Sequence, residues 1–308
     1  MPLPVPDSAP LSQLAPFFIG TCRVHGPAEA LRQRGHVVYS TPNRLHSPMQ
    51  TLQFLEHLAG RQQFTPETVH LLSDFAMQHV VRGRRDSAWA SLQRLRTPCR
   101  KADVFFIEIS SLNEFPMKRP DGSVFYANHF TKRDLRRYGP ELRVPLAGQE
   151  PPRTRLQRGL ERAFGRPPWW PGESQGDARD APPEIKSERL SPGQAIRIMS
   201  RIKRTLRSRP VVWLAHPHPP VGDPAHEHVI AVRRRLAETL REGAAALGDD
   251  FFDPSTVAAE MGTGRFFAKE GTDLAHFTEE AIERLADRYL ELISVPSPGA
   301  APGGPAAA

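Results

Sequence analysis

The sequence predicts an α/β fold: a three-layer sandwich in which helices cover both faces of a mostly parallel central sheet. Short apolar runs alternate along the chain with segments of helical periodicity, which is typical of this architecture. The two longest apolar runs, residues 102–111 and 211–219, are almost continuously hydrophobic, as expected of strands buried on both faces. There is no internal repeat, so we expect one domain built around one sheet.

This periodicity predicts the helices and strands, and residues typical of helix ends predict their bounds. Ser47-Pro48, a helix cap followed by a first-turn proline, is one such signal. The first half is predicted to hold strands at 16–22, 36–40 and 102–111 and helices at 26–35, 47–59 and 65–81. The second half is predicted to hold helices at 191–209, 226–247 and 277–293 and strands at 211–219 and 251–253.

Three segments break the alternation. Residues 1–15 and 295–308 are Pro- and Ala-rich and are expected to be disordered tails. Residues 112–190 are rich in Pro, Gly and charge, and are expected to form a long insertion in a single domain that spans 16–294. Within it, Trp169-Trp170 could stack on a sugar or a base, although docking onto the domain is the simpler interpretation.

The balance of charged residues indicates which kinds of partner this protein could bind. The chain carries 41 basic and 34 acidic residues, a formal charge of +7. This excess suits an anionic partner such as nucleic acid or a phosphate-bearing cofactor, but acidic residues are interleaved through most helices, so we do not expect a nucleic-acid partner.

The sequence has two cysteines, no signal-peptide pattern and no apolar run long enough to span a membrane. We therefore expect a cytoplasmic protein with no membrane partner.

Cys22 is the first candidate for chemistry. It ends the first predicted strand and precedes a helix, whose N-terminal amides and partial positive charge would stabilise a thiolate and the oxyanion of a tetrahedral intermediate. Arg23 and His25 would add to this effect. The alternative is a small buried hydrophobic residue at the edge of the core. Cys99, between Pro98 and Arg100, lacks this context and is expected to be structural.

Asp273 and His276 are the second candidates. They stand three residues apart in a predicted loop before the last helix, where both side chains can face one pocket. His276 would then act as general base, with Asp273 orienting its imidazole. The alternative is an ordinary pair of surface loop residues.

These two blocks resemble those of the SGNH (GDSL-type) hydrolase superfamily. Its first strand ends in Gly-Asp-Ser and its last loop carries Asp-x-x-His; Gly20-Thr21-Cys22 matches the first block with cysteine in place of serine, and Asp273 and His276 match the last. The resemblance implies a flavodoxin-like sandwich with Cys22, His276 and Asp273 as the catalytic residues. It further suggests Asn113, Ser110 or Ser111 for the oxyanion hole.

The cysteine variant is similar to two outlying branches: the GSCFA domain, and a capsule-polysaccharide group that carries Gly-Asn-Cys and is linked to coenzyme A. These resemblances imply acyl transfer at an ester or thioester, with acyl-coenzyme A as a co-substrate and no required cofactor. Water as acceptor would make an esterase or thioesterase, and a small-molecule or glycan acceptor an acyltransferase. The alternative is an SGNH-like domain that binds a ligand or protein without turnover.

Several polar residues follow predicted strands and are candidates for substrate binding. They are Arg23, His25, Asn43, Arg44, His46, His216 and His218. The last two belong to a cluster of four histidines, completed by His226 and His228, that could also suit a transition metal. Their spacing matches no established metal motif, so no metal site is predicted.

Overall fold

The computed structural model describes residues 14–61, 63–66, 68–118, 124–127, 187–219 and 226–294. Residues 1–13 of the predicted tail 1–15 and all of the predicted tail 295–308 lie outside these ranges, as do Trp169-Trp170 and most of the predicted insertion.

A five-stranded parallel sheet forms the centre of the protein, as predicted. Its strands, in chain order, are β1 (Pro16–Gly20), β2 (Tyr39–Arg44), β3 (Val104–Glu108), β8 (Val211–Leu214) and β9 (Asp250–Phe252). Their spatial order is β2-β1-β3-β8-β9, and every neighbouring pair is parallel. This is the doubly wound, flavodoxin-like order, in which the direction of winding reverses between the first and third strands.

Among the described residues, three small antiparallel pairs lie outside this sheet. They comprise β4 (Asn113–Glu114) with β7 (Glu188–Arg189), β5 (Pro116–Lys118) with β6 (Val124–Tyr126), and β10 (Phe267–Ala268) with β11 (Asp273–Phe277).

Helices cover both faces of the sheet. The helices are α1 (Cys22–Gln33), α2 (Pro48–Leu58), α3 (Asp74–Val81), α4 (Arg85–Arg94), α5 (Arg96–Lys101), α6 (Pro192–Thr205), α7 (Glu227–Leu247), α8 (Ser255–Met261), α9 (Thr263–Phe266) and α10 (Glu279–Ser294). Two short 3-10 turns, Val69–Leu71 and Lys269–Gly271, complete the described elements.

The core has two halves because side chains alternate across the strands. On β1, Phe17 and Ile19 face a layer that includes α2, α6 and α7, whereas Phe18 faces α1, α8 and α10. The second layer centres on Tyr289 of α10, whose ring lies 5.5 Å from that of Phe18 and 5.1 Å from that of Phe106. The arrangement confirms the predicted three-layer sandwich.

Several predicted bounds were wrong, and local hydrogen bonds explain two of them. The helix predicted over 65–81 is divided, because the Ser73 hydroxyl accepts from the Ala76 amide and starts α3 afresh. The last helix begins at Glu279 rather than 277, because the Thr278 hydroxyl caps it by accepting from the Ala281 amide. The second strand lies over Tyr39–Arg44 rather than 36–40, since its pairing with β1 begins at Phe17 and Tyr39.

Candidate active site

The carboxyl ends of the parallel strands place the candidate residues on one edge of the sheet. Cys22 follows β1, His46 follows β2, Ser110 follows β3 and His216 follows β8. In open α/β sheets ligands usually bind in the crevice outside these strand ends, at the switch point, which here lies between β1 and β3. Cys22 and Glu108, the last residue of β3, lie at that switch point.

Cys22 is the first residue of α1 and is half-buried. Thr21 precedes it in an extended conformation and caps the helix, its hydroxyl accepting from the Arg23 amide at 3.4 Å. The thiol therefore lies at the amino end of a twelve-residue helix, where the dipole favours negative charge. Cys22 Sγ donates to the carbonyl oxygen of Ala275 at 3.9 Å, a contact between residues 253 positions apart in the sequence.

Asp273 and His276 lie on β11 rather than in the loop that we predicted, because β11 pairs with β10. His276 Nδ1 lies 2.9 Å from Asp273 Oδ2, so the carboxylate orients the ring as expected. This hydrogen bond, and then one from the Ala275 amide, hold the pKa of Asp273 below its usual range. The His276 side chain is 63% exposed, and within the described residues no hydrogen bond joins it to the Cys22 thiol.

Glu108 is a residue that the sequence reasoning missed. Its carboxylate is fully buried, and Oε2 accepts from both the amide of Thr21 at 2.8 Å and its hydroxyl at 2.6 Å. Burial alone would raise the pKa of Glu108, but hydrogen bonding from His216 and the charge of Arg23 lower it to about 2. The signal was present in the sequence: a single acid within an otherwise apolar buried strand requires partners.

His216 completes the buried network. Its Nδ1 lies 3.0 Å from Glu108 Oε1 and 3.3 Å from an Arg23 guanidinium nitrogen. Burial, and then the neighbouring charge of Arg23, lower the pKa of His216 to about 3, so the ring is neutral. One Nδ1 cannot both donate to Glu108 and accept from Arg23. We assign the proton to Nδ1, donating to Glu108, because a carboxylate is the stronger acceptor.

Arg23 links this network to β11. One of its nitrogens, Nη2, donates to the carbonyl oxygen of Leu274 at 2.5 Å, next to both Asp273 and Ala275. Its Nε is buried and has no hydrogen-bond partner among the described residues. Burial lowers the pKa of Arg23, and the negative charge of Glu108 opposes this effect. The predicted site residue Arg23 thus donates to β11 on one side and lies beside the buried pair of Glu108 and His216 on the other.

Arg233 of α7 is a second residue that sequence reasoning missed. Its Nη1 donates to the carbonyl oxygen of Pro217 at 2.5 Å. Burial, together with the charge of Arg23, lowers the pKa of Arg233 to about 10, while Glu108 raises it. Nothing in the sequence distinguishes Arg233 from the two arginines that follow it on the helix, because only tertiary packing turns it inward.

The remaining predicted substrate-binding residues are mostly engaged in the fold. Burial lowers the pKa of His25 on α1, against a hydrogen bond to the Thr41 backbone. Asn43 is buried and accepts from the Ser73 hydroxyl at 2.7 Å, whereas Arg44 ends β2 and is exposed. His218 is buried, with its amide donating to the Ser255 hydroxyl at 2.9 Å. Within the described ranges, no three His, Cys, Asp or Glu side chains are grouped to hold a metal.

The oxyanion candidates form a separate cluster beyond β3. Ser110 Oγ lies 3.0 Å from His46 Nδ1, and the amides of Ser110 and Ser111 both donate to the His46 carbonyl oxygen. Asn113 is exposed and pairs with Arg189 in the small β4–β7 ladder. No described hydrogen bond joins these three candidates to Cys22, so their oxyanion role stays a prediction.

The fold and the residues at the carboxyl ends of its strands define a class: a flavodoxin-like α/β protein with a cysteine at the switch point and an Asp–His pair beside that cysteine. The chain belongs to the family of the TviD N-terminal domain, whose family model matches residues 15–292. No curated protein matches the sequence. No helix in the described part of the chain is long and apolar enough to cross a membrane.

Proposed function

We propose that this protein is an SGNH-like acyl-transfer enzyme that acts in capsule polysaccharide biosynthesis, with Cys22 as nucleophile. The membership of the TviD N-terminal domain family, which is related to Vi capsule polysaccharide biosynthesis, supports the setting. One observation carries the chemistry: the thiol at the start of α1 contacts Ala275, the residue next to His276, and His276 is oriented by Asp273.

In the proposed reaction, His276 takes the proton of the Cys22 thiol, and the resulting thiolate attacks the carbonyl carbon of an acyl thioester or ester. The bond between Cys22 Sγ and the acyl carbon forms and the bond from that carbon to the leaving sulfur or oxygen breaks, so that the leaving thiol or alcohol departs with the proton from His276 and an acyl-cysteine remains. His276 then removes a proton from the acceptor hydroxyl, whose oxygen attacks the acyl-cysteine and releases Cys22. A glycan acceptor gives an O-acylated sugar, and water gives the free acid.

The electrostatics of the site favour this role for Cys22. The sulfur lies at the amino end of α1, where the helix dipole favours negative charge. The mechanism requires Sγ to leave the Ala275 carbonyl and reach the His276 ring, which the exposure of that ring permits. An acyl-coenzyme A donor is the simplest thioester to test.

The test is intact-protein mass after incubation with a panel of acyl-coenzyme A thioesters. We expect a mass gain of one acyl group that neutral hydroxylamine removes. The gain should be lost in Cys22→Ala, slowed by about 10²-fold or more in His276→Ala, and kept in Cys99→Ala, which serves as the matched control. Acylation that survives Cys22→Ala would exclude this mechanism.

A second function is favoured by one observation: within the described residues, no hydrogen bond joins Cys22 to His276. An SGNH-like domain that binds an acyl-bearing ligand without turnover would need no such bond. It predicts saturable ligand binding that His276→Ala leaves intact, with no acyl adduct on Cys22 for any thioester of the panel. An adduct with turnover would exclude this second function.

A further inference from the structure

One buried carboxylate controls the turn that carries Cys22. Glu108 Oε2 accepts from both the amide and the hydroxyl of Thr21, the residue immediately before Cys22. Two hydrogen bonds to one carboxylate oxygen restrain the peptide plane and the side chain of Thr21 together. Because Thr21 also caps α1, the carboxylate restrains the first turn of that helix.

The strand that carries His276 is held differently. β11 lies outside the five-stranded sheet and pairs with β10, a strand of two residues. Its polar contacts with α1 come from Arg23, through the Leu274 carbonyl oxygen, and from Cys22, through that of Ala275. The charge of Arg23 is in turn attracted by Glu108, across the His216 ring that contacts both.

Burying these two charged groups costs stability, so a stabilising role alone does not account for them. A buried carboxylate and guanidinium lose their hydration, and well-packed apolar residues of the same volume are often as stable or more so. Here Glu108 binds Thr21, the residue directly before Cys22, and Arg23, the residue directly after it, binds the backbone between Asp273 and His276. Such convergence is expected where a fixed distance between two elements matters.

We propose that Glu108 and Arg23 are positioning residues, which hold the turn of Cys22 and the strand of His276 at the separation that acyl transfer needs. The proposal rests on the proposed function. Neither residue exchanges a proton or a bond with substrate. Glu108 orients the turn, and Arg23, whose charge Glu108 attracts, keeps β11 against α1 through the Leu274 carbonyl oxygen.

The first test needs no substrate. Hydrogen–deuterium exchange over residues 272–278 is compared in the wild type, Arg23→Met, Arg23→Lys, Glu108→Gln and Arg34→Met, at a temperature where each variant is folded by circular dichroism. Arg34 is the matched control because it joins α1 to α10, through Glu283 and through Asp287 at 2.6 Å, without touching β11. We expect faster exchange in Arg23→Met and Glu108→Gln, partial recovery in Arg23→Lys, and wild-type exchange in Arg34→Met. Wild-type exchange over 272–278 in Arg23→Met overturns the proposal.

The second test uses the acylation assay on the same variants. We expect Arg23→Met to lower kcat by about 100-fold with KM nearly unchanged, since a displacement of about 1 Å between reacting groups has an effect of this size. Arg23→Lys should recover part of that loss. A kcat loss equal to that of Arg34→Met would show a merely structural role and overturn the proposal. If the wild type forms no acyl adduct while Arg23→Met still loosens β11, the proposed function fails and the positioning of β11 by Arg23 stands.

Discussion

Gly20 lies directly beneath the side chain of Glu108: a Cβ added to Gly20 would come 2.6 Å from Glu108 Cβ and 2.9 Å from its Oε2. The turn before Cys22 can therefore approach β3 closely enough for Thr21 to reach the buried carboxylate only if residue 20 has no side chain. This requirement explains the glycine of the Gly20-Thr21-Cys22 block from packing alone.

Gly20→Ala is accordingly expected to lower the free energy of unfolding by about 1–3 kcal/mol, because the extra methyl group must displace Glu108 or the turn. Urea denaturation followed by circular dichroism measures the change. Gly193→Ala is the control, since its Cβ would meet one atom, an Arg197 guanidinium nitrogen at 3.9 Å. Equal stability of the two variants would contradict the close packing of Gly20 on Glu108.

The two cysteines are expected to differ in reactivity. Cys22 is half-buried at the sheet edge, whereas Cys99 is buried in α5. Burial also raises the pKa of the Cys99 thiol, against the opposing charge of Arg209. The folded protein should therefore react with one equivalent of Ellman's reagent at neutral pH and the unfolded protein with two. Mass mapping of the labelled residue checks the assignment, and rapid labelling of Cys99 in the folded state would contradict it.

Glu114 is expected to make the stability depend on pH near neutrality. Burial raises the pKa of Glu114 from 4.5 to about 7, although the Ser47 hydroxyl and the Met49 amide donate to its carboxylate. Below pH 4.5 both the folded and unfolded states are protonated. As pH rises from 4.5 to 7 the unfolded chain releases the proton first, so this contribution to stability is lost, by about 3 kcal/mol at most.

Glu114→Gln removes this titration while keeping the shape of the side chain. Its free energy of unfolding should stay nearly constant from pH 5 to 8 where that of the wild type falls. Chemical denaturation at several pH values measures both, and parallel curves for the two proteins would show that Glu114 is not the group responsible.

Lys203 of α6 forms an ion pair with Asp249, the residue before β9; the Asp249 side chain is buried, that of Lys203 is 17% exposed, and Asp249 also accepts from Trp213 Nε1 at 3.1 Å. Lys203→Met would leave the Asp249 carboxylate buried without its cation, and should cost about 3–5 kcal/mol of stability. Adding Asp249→Asn should recover much of that loss, because the neutral amide can still accept from Trp213. Thermal unfolding followed by tryptophan fluorescence measures the series, with the exposed Lys101→Met as control. Similar stability of Lys203→Met and Lys101→Met would contradict a buried pair.

The alternation of apolar strands and helices was enough to predict the sandwich, because burial on both faces of a sheet imposes continuous hydrophobic runs such as 104–107 and 211–214. It was also enough to select Cys22, Asp273 and His276 as candidates, since each lies beside the end of a predicted element. The bounds of helices were predicted less well where a single side chain decides them. The hydroxyls of Ser73 and Thr278, for example, cap the starts of α3 and α10.

The sequence by itself determined the layers of this protein and the residues adjacent to its strand ends. Only the tertiary structure brought Ala275 to Cys22, converted the predicted Asp–His loop into a strand, and joined Glu108, His216 and Arg23. The physical reason is that the contacts of Cys22 with Ala275, of Glu108 with His216 and of Arg23 with His216 cross 108 to 253 residues of sequence. Periodicity reports which face of an element is buried, whereas the partner of a buried charge depends on how the elements pack.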